Sequence, residues 1–215
     1  MLHEGCVSKR LLALVRKLEK EAVFKDFFLV GGTALALQIG HRKSEDIDLF
    51  TQKELQILEI IKYLKQNYSG KYQLINSQRM IYQVMIEGIK VDFVNHPFEL
   101  VEAVQHEGDV AYLGNKDIAA MKLHVIETNG SRAKDFVDIF FLLKEIPLEE
   151  MFKYYRKKYS TDNIFNAKRS LGYFEDVPEK SWKDVRLVDR KVTANLVKKT
   201  ITDAIRKYNE TQMDK

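Results

Sequence analysis

Cysteine occurs once, at Cys6, so the chain closes no internal disulfide, and a cytoplasmic setting is the expectation. Proline occurs three times, at Pro97, Pro147 and Pro178, each between stretches of regular pattern. No run approaches the ~18 to 20 apolar residues a membrane helix needs, and no membrane role is expected. The first twenty residues, MLHEGCVSKRLLALVRKLEK, mix charge into their apolar positions, as an amphipathic helix does and a secretion signal does not. His3, His41, His96, His106 and His124 are scattered without zinc spacing. There is no internal repeat and no low-complexity segment. These absences argue against a disulfide scaffold, a zinc module, a membrane span and a repeat array.

What is present suits a globular chain. Its 215 residues are 45% hydrophobic and 31% charged, enough for one large domain or two small ones with a real core. The net charge of +4 is uneven. Residues 151–215 hold 16 Lys/Arg against 9 Asp/Glu, and residues 1–150 hold 19 against 22. An acidic front and a basic back suit a protein whose cation site and polyanion-binding surface are separate, though a helical tail with a solvated Lys/Arg face reads the same way.

Periodicity supplies the elements. Leu11, Leu14, Val15 and Leu18 recur at helical spacing, with Ser8 as N-cap. FFLV (27–30) reads as a buried strand broken by Gly31-Gly32; a helix follows over 33–39, and Gly40 stops it. Residues 46–50 read as a strand and 53–67 as a helix. YQLI, MIYQVMI and IKVDFV read as strands, the last two turned by Glu87-Gly88. Helices are expected at 115–127 and 132–145, split by Asn129-Gly130, and then at about 148–159, 161–173 and 190–209. The expected fold is α+β: a small mixed β-sheet core flanked by helices over residues 1–110, then a helical domain or bundle over 111–215.

The chemistry gathers in GGTALALQIGHRKSEDIDLF (31–50). On a strand, Asp46 and Asp48 point the same way, with Cα atoms roughly 6 to 7 Å apart, while Ile47 and Leu49 enter the core. Two carboxylates so placed repel unless a cation lies between them. Asp92, in IKVDFV, alternates likewise with Val91 and Phe93, and adjacent pairing of the two strands makes three acids converge. Hard oxygen ligands suit Mg²⁺ or Mn²⁺, and two such ions are the apparatus of nucleotidyl transfer. Gly31 and Gly32 before a helix let backbone N–H groups approach a phosphate, Thr33 adds a hydroxyl, and His41, Arg42 and Lys43 can neutralise a triphosphate. A tight turn and an exposed acidic edge strand are the plain alternatives to each signal taken alone.

This stretch resembles the signature of the DNA polymerase beta-like nucleotidyltransferase superfamily: two glycines, a small hydroxyl residue, a helix, then Asp-x-Asp, with IKVDFV similar to the strand of the third carboxylate. DIAAMKLHVIETNGSRAKDFVDIFFLL resembles a narrower group, the bacterial AbiEii/AbiGii-type nucleotidyltransferase toxins, on Lys122, Arg132, Lys134, Asp135 and Asp138. The resemblance runs over about residues 25–145. It implies metal ligation by Asp46, Asp48 and Asp92, and nucleotide binding by Gly31, Gly32, Thr33, Arg42, Lys43, Lys122 and Asp135, with Asp138 orienting its neighbours. It further implies NMP transfer from an NTP to an acceptor hydroxyl, with tRNA or a protein hydroxyl as acceptor, and a cognate antitoxin as partner. A metal-dependent glycosyltransferase, a non-catalytic nucleotide-binding module and an aminoglycoside-type small-molecule enzyme are the rival readings. KYYRKKY (153–159) interleaves cations with aromatics, as nucleic-acid grips do, but Phe152, Tyr155 and Tyr159 also form a stripe suited to a core.

Overall fold

The computed structural model describes residues 1–213, which pack as two compact units. The first comprises residues 1–40, 44–98 and 103–113; the second comprises 41–43, 99–102 and the described residues from 114 onward.

The first unit is a seven-stranded mixed sheet with helices. In chain order it holds α1 (Lys9–Glu19), β1 (Phe28–Leu29), α2 (Gly31–Ile39), β2 (Ile47–Thr51), α3 (Ile57–Asn67), β3 (Tyr72–Gln78), β4 (Ile81–Ile86), β5 (Ile89–Asn95), β6 (Gln105–Glu107) and β7 (Val110–Tyr112). The strand order is β3-β4-β5-β2-β1-β7-β6. β3, β4 and β5 form an antiparallel meander, whereas β5 lies parallel to β2. The Ser8 hydroxyl accepts from the Leu11 N–H and caps α1, and Gly40 ends α2 in the left-handed region.

Alternation explains the burial. Ile47 and Leu49 of β2, and Val91 and Phe93 of β5, are fully buried, whereas Asp48 between them is only half-buried. Phe24 stacks on Phe93 with ring centroids 5.1 Å apart and meets Tyr63 of α3 edge-on at 5.1 Å. The core thus holds the strands that carry Asp48 and Asp92 on a fixed frame.

The second unit is helical, with α4 (Asn115–Thr128), α5 (Ala133–Leu142), α6 (Leu148–Tyr159), α7 (Phe165–Leu171), α8 (Glu179–Asp184) and α9 (Ala194–Met213). α4 packs on α5, α6 and α7, and α5 packs on α8 and α9. Phe152 and Tyr155 of α6 are buried, so that stripe belongs to the core. Lys158, on the same helix, is fully buried too: its ammonium lies 2.7 Å from Asp117, whose carboxylate also accepts the N–H groups of Val101 and Glu102. Among the described residues no helix is long and apolar enough to cross a membrane.

Candidate active site

Asp48 and Asp92 face each other in register on the adjacent parallel strands β2 and β5. In-register residues of neighbouring strands lie about 4.8 Å apart and share a face. Gly31, the first residue of α2, comes against the same carboxylate. Its φ is +68°, and a Cβ there would stand 2.5 Å from Asp48 Oδ2. Glycine is therefore required twice, for its backbone angle and for the space. The Val30 N–H donates to the Asp48 carbonyl at 2.9 Å, tying the entry of α2 to β2. The first turn of α2, from Gly31 through Gly32 to Thr33, carries N–H groups with no intrahelical acceptor.

Asp46 lies just ahead of β2, half-buried, rather than in the strand. The reason is local. The buried Thr33 hydroxyl donates its only proton to the Asp46 carbonyl, so Ser44 Oγ, 2.8 Å away, must donate to Thr33. That clasp fixes residues 44–46 against α2, and the Thr33 side chain is spent on it.

Asp92 is buried to 8% exposure. Its Oδ2 accepts from Lys90 Nζ at 2.7 Å and from Gln83 Nε2 at 2.9 Å, while its Oδ1 is buried with no partner. A buried acceptor without a donor is costly, and beside a second carboxylate it is open to a cation. Among the described residues no three His, Cys, Asp or Glu side chains gather into a cluster that could hold a metal ion. Asp48 and Asp92 nonetheless fit one as a pair. Both offer hard oxygen donors in register, Asp92 keeps an unsatisfied oxygen, and magnesium is commonly held by one or two carboxylates plus substrate phosphates.

Arg42, Lys122 and Asp135 lie in the second unit and form an ion cluster. Asp138, fully buried on α5, is its hub. Arg42 clamps it with two bonds, Nε to Oδ1 at 2.7 Å and Nη2 to Oδ2 at 3.0 Å. Lys122 Nζ lies 2.6 Å from Asp138 Oδ2 and 2.7 Å from Asp135 Oδ1, and Arg132 Nε donates to Asp135 Oδ2 at 2.8 Å. Burial alone would raise the Asp138 carboxyl, but the Arg42 and Lys122 charges hold it well below the ordinary carboxylate range. Burial alone would lower Lys122, but Asp135 and Asp138 raise it above its ordinary value. Burial lowers His41 and keeps it neutral, so its Nε2–H donates to Asp138 Oδ1 at 2.7 Å and its buried Nδ1 is left without a donor.

Backbone bonds hold the same segment. The Lys43 N–H donates to the Arg186 carbonyl at 2.8 Å, and the Val188 N–H donates to the His41 carbonyl at 3.0 Å. Residues 41–43 are thus fixed within the helical unit by side chain and main chain alike, with Lys43 exposed. Asp138 proves to be the centre of this cluster rather than an accessory to it. A lysine at 122 within an apolar helix, and an acid one turn past Asp135, were the sequence signals that could have marked it. Gln83 and Lys90, the partners of Asp92, carry no signal that periodicity detects.

The fold is that of a nucleotidyltransferase. A candidate nucleotidyltransferase of Helicobacter pylori is similar over 95% of this chain and 98% of its own, with a TM-score of 0.56 at 19% identity. The aminoglycoside enzyme ANT(2")-Ia, in complex with adenylyl-2"-tobramycin, is similar over 71% of this chain and 98% of its own, with a TM-score of 0.50 at 14% identity. An uncharacterized protein of Aquifex aeolicus is 32% identical over 188 residues, covering 80% of this chain and 90% of the relative. Residues 12–214 match the family model of the nucleotidyl transferase AbiEii toxin of type IV toxin–antitoxin systems, and the chain belongs to that family.

Proposed function

We propose that this protein transfers a nucleoside monophosphate from an NTP to an acceptor hydroxyl and releases pyrophosphate. The observation that carries the reading is the in-register pair Asp48 and Asp92 with Gly31 pressed against Asp48. In the transfer the acceptor oxygen bonds to the α-phosphorus, the bond to pyrophosphate breaks, and the acceptor proton leaves.

Asp48 and Asp92 are assigned to Mg²⁺ or Mn²⁺, which when bound would acidify the attacking hydroxyl and neutralise charge at phosphorus, with Asp46 as the third acid of the sequence pattern, which the described residues do not gather into a cluster with them. The chain's own residues do the rest. Gly31, Gly32 and Thr33 present main-chain N–H groups to phosphate oxygens at the start of α2. The Asp92 carboxylate is assigned to drawing off the acceptor's proton. Lys43 meets triphosphate charge, and Arg42, Lys122 and Asp135 serve the nucleotide by fixing the segment that carries Lys43.

RNA, with tRNA as the class, is the acceptor we assign. Residues 151–215 hold 16 Lys/Arg against 9 Asp/Glu, and Lys153, Lys157, Arg169, Lys199, Arg206 and Lys207 are exposed on α6, α7 and α9. Such a surface suits phosphate backbone. The toxin family implies a cognate antitoxin. The test incubates the protein with each α-labelled NTP, Mg²⁺ and total cellular RNA, beside Asp48→Ala. Label entering RNA only with metal and only in the parent protein supports the reading. Label in protein alone moves the acceptor to a polypeptide, and no label with NTP still bound makes the chain a binding module.

A further inference from the structure

One row of side chains runs across four neighbouring strands. Asn76 of β3 is in register with Gln83 of β4, Gln83 with Asp92 of β5, and Asp92 with Asp48 of β2. The row is bonded through its outer half. Asn76 Nδ2 donates to Gln83 Oε1 at 3.2 Å, and Gln83 Nε2 donates to Asp92 Oδ2 at 2.9 Å. From these contacts we infer that Asn76 and Gln83 are positioning residues that aim the Asp92 carboxylate, an assignment that rests on Asp92 acting as a metal-holding group.

The polarity of the row is forced. An ionised carboxylate only accepts, so Gln83 must turn its NH₂ toward Asp92. That leaves the Gln83 carbonyl facing β3, where only a donor satisfies it. Asn76 supplies that donor and so prevents the amide from turning over. Lys90 and Gln83 together saturate Oδ2, which leaves Oδ1 as the oxygen without a partner. Outer partners of this kind fix the orientation and basicity of a metal-binding carboxylate.

The sheet departs from regular pairing to build the row. Pairing runs Tyr72 to Ile86, Gln73 to Met85 and Leu74 to Val84, and would next set Ile75 against Gln83. A bulge between Leu74 and Asn76 takes Ile75 out of register, leaving it 48% exposed, and sets Asn76 there instead. Bulges re-aim side chains and are frequent beside active sites.

Mn²⁺ titrated into the full chain, with free ion followed by electron paramagnetic resonance, tests the inference without the acceptor. The parent protein binds, and Asp92→Asn binds far more weakly. Gln83→Met, which removes donor and acceptor at nearly constant size, is expected to weaken Mn²⁺ binding about tenfold with the melting temperature unchanged. Asn76→Asp is expected to weaken it as well, because a carboxylate there draws the Gln83 NH₂ away from Asp92. Asn76→Ser keeps a donor and retains parental affinity. Should Gln83→Met fail to fold, Asn76→Asp on the edge strand decides. Parental affinity in both Gln83→Met and Asn76→Asp, with binding lost in Asp92→Asn, overturns the inference alone. Parental affinity in Asp92→Asn removes the assignment of Asp92 to metal, and the inference falls with it.

Discussion

Two groups of acids in this chain are treated in opposite ways. In the second unit, Asp135 and Asp138 are matched by Arg42, Lys122 and Arg132, and Asp138 has both oxygens engaged at 3.0 Å or less. In the first unit, Asp48 stands beside Asp92, a like charge, and Asp92 keeps a buried oxygen with no partner. A buried network in which each acid is matched by cations holds a structure in place. A carboxylate set beside a like charge, with one buried oxygen left without a donor as on Asp92, costs stability and points to a binding role. The contrast therefore separates framework from chemistry.

The largest effect is expected at the framework. Asp138→Ala removes the carboxylate that buried Arg42 clamps and leaves buried Lys122 with Asp135 alone, and is expected to cost about 3–5 kcal/mol in chemical denaturation. Gly31→Ala comes next. A left-handed φ of +68° costs an alanine about 1–2 kcal/mol, and its Cβ would meet Asp48 Oδ2 at 2.5 Å. Nucleotide transfer should fall by at least about a hundredfold while the unit still folds, because the displaced group is Asp48 itself.

The smallest effect lies away from both groups. Burial pushes Glu19 up to about 7, outweighing the Ala111 N–H that donates to its Oε2 at 2.6 Å, and Asp109 adds to the rise. A carboxyl raised on folding contributes stability that is full below its ordinary value of 4.5 and is lost as pH rises to about 7. Glu19→Gln keeps the acceptor and removes the charge. It is expected to add on the order of 1 kcal/mol at pH 8, after discount for partial exposure, and almost nothing at pH 4.5. Urea unfolding of both proteins at the two pH values checks this.

Much of the first unit was legible because its signals are local. Glu87 and Gly88 both have positive φ, at 49° and 83°, which is the hairpin turn read from their types. Gly40 ends α2 at φ 69° as its position after an apolar run suggests. β6 and β7, three residues each, and the six-residue α8 are too short to show a period. Asp46 falls outside β2 because a hydroxyl thirteen residues earlier takes its carbonyl. The placing of residues 41–43 with the helical unit depends on Asp138, 96 residues beyond Arg42, and no periodicity records such a pairing. The bulge at Ile75 is silent for the same reason, since YQLINSQ contains no glycine to mark it.

Thermal unfolding of Asp48→Asn beside Asp138→Asn, each against the parent protein, tests the division most directly. Asp48→Asn is expected to melt no lower than the parent, since it relieves repulsion with Asp92, and Asp138→Asn well below it, since buried Arg42 loses the carboxylate it clamps and Lys122 keeps only Asp135. A lowered melting point in Asp48→Asn with none in Asp138→Asn would contradict the division, placing the framework in the sheet and leaving the buried cluster free for other work.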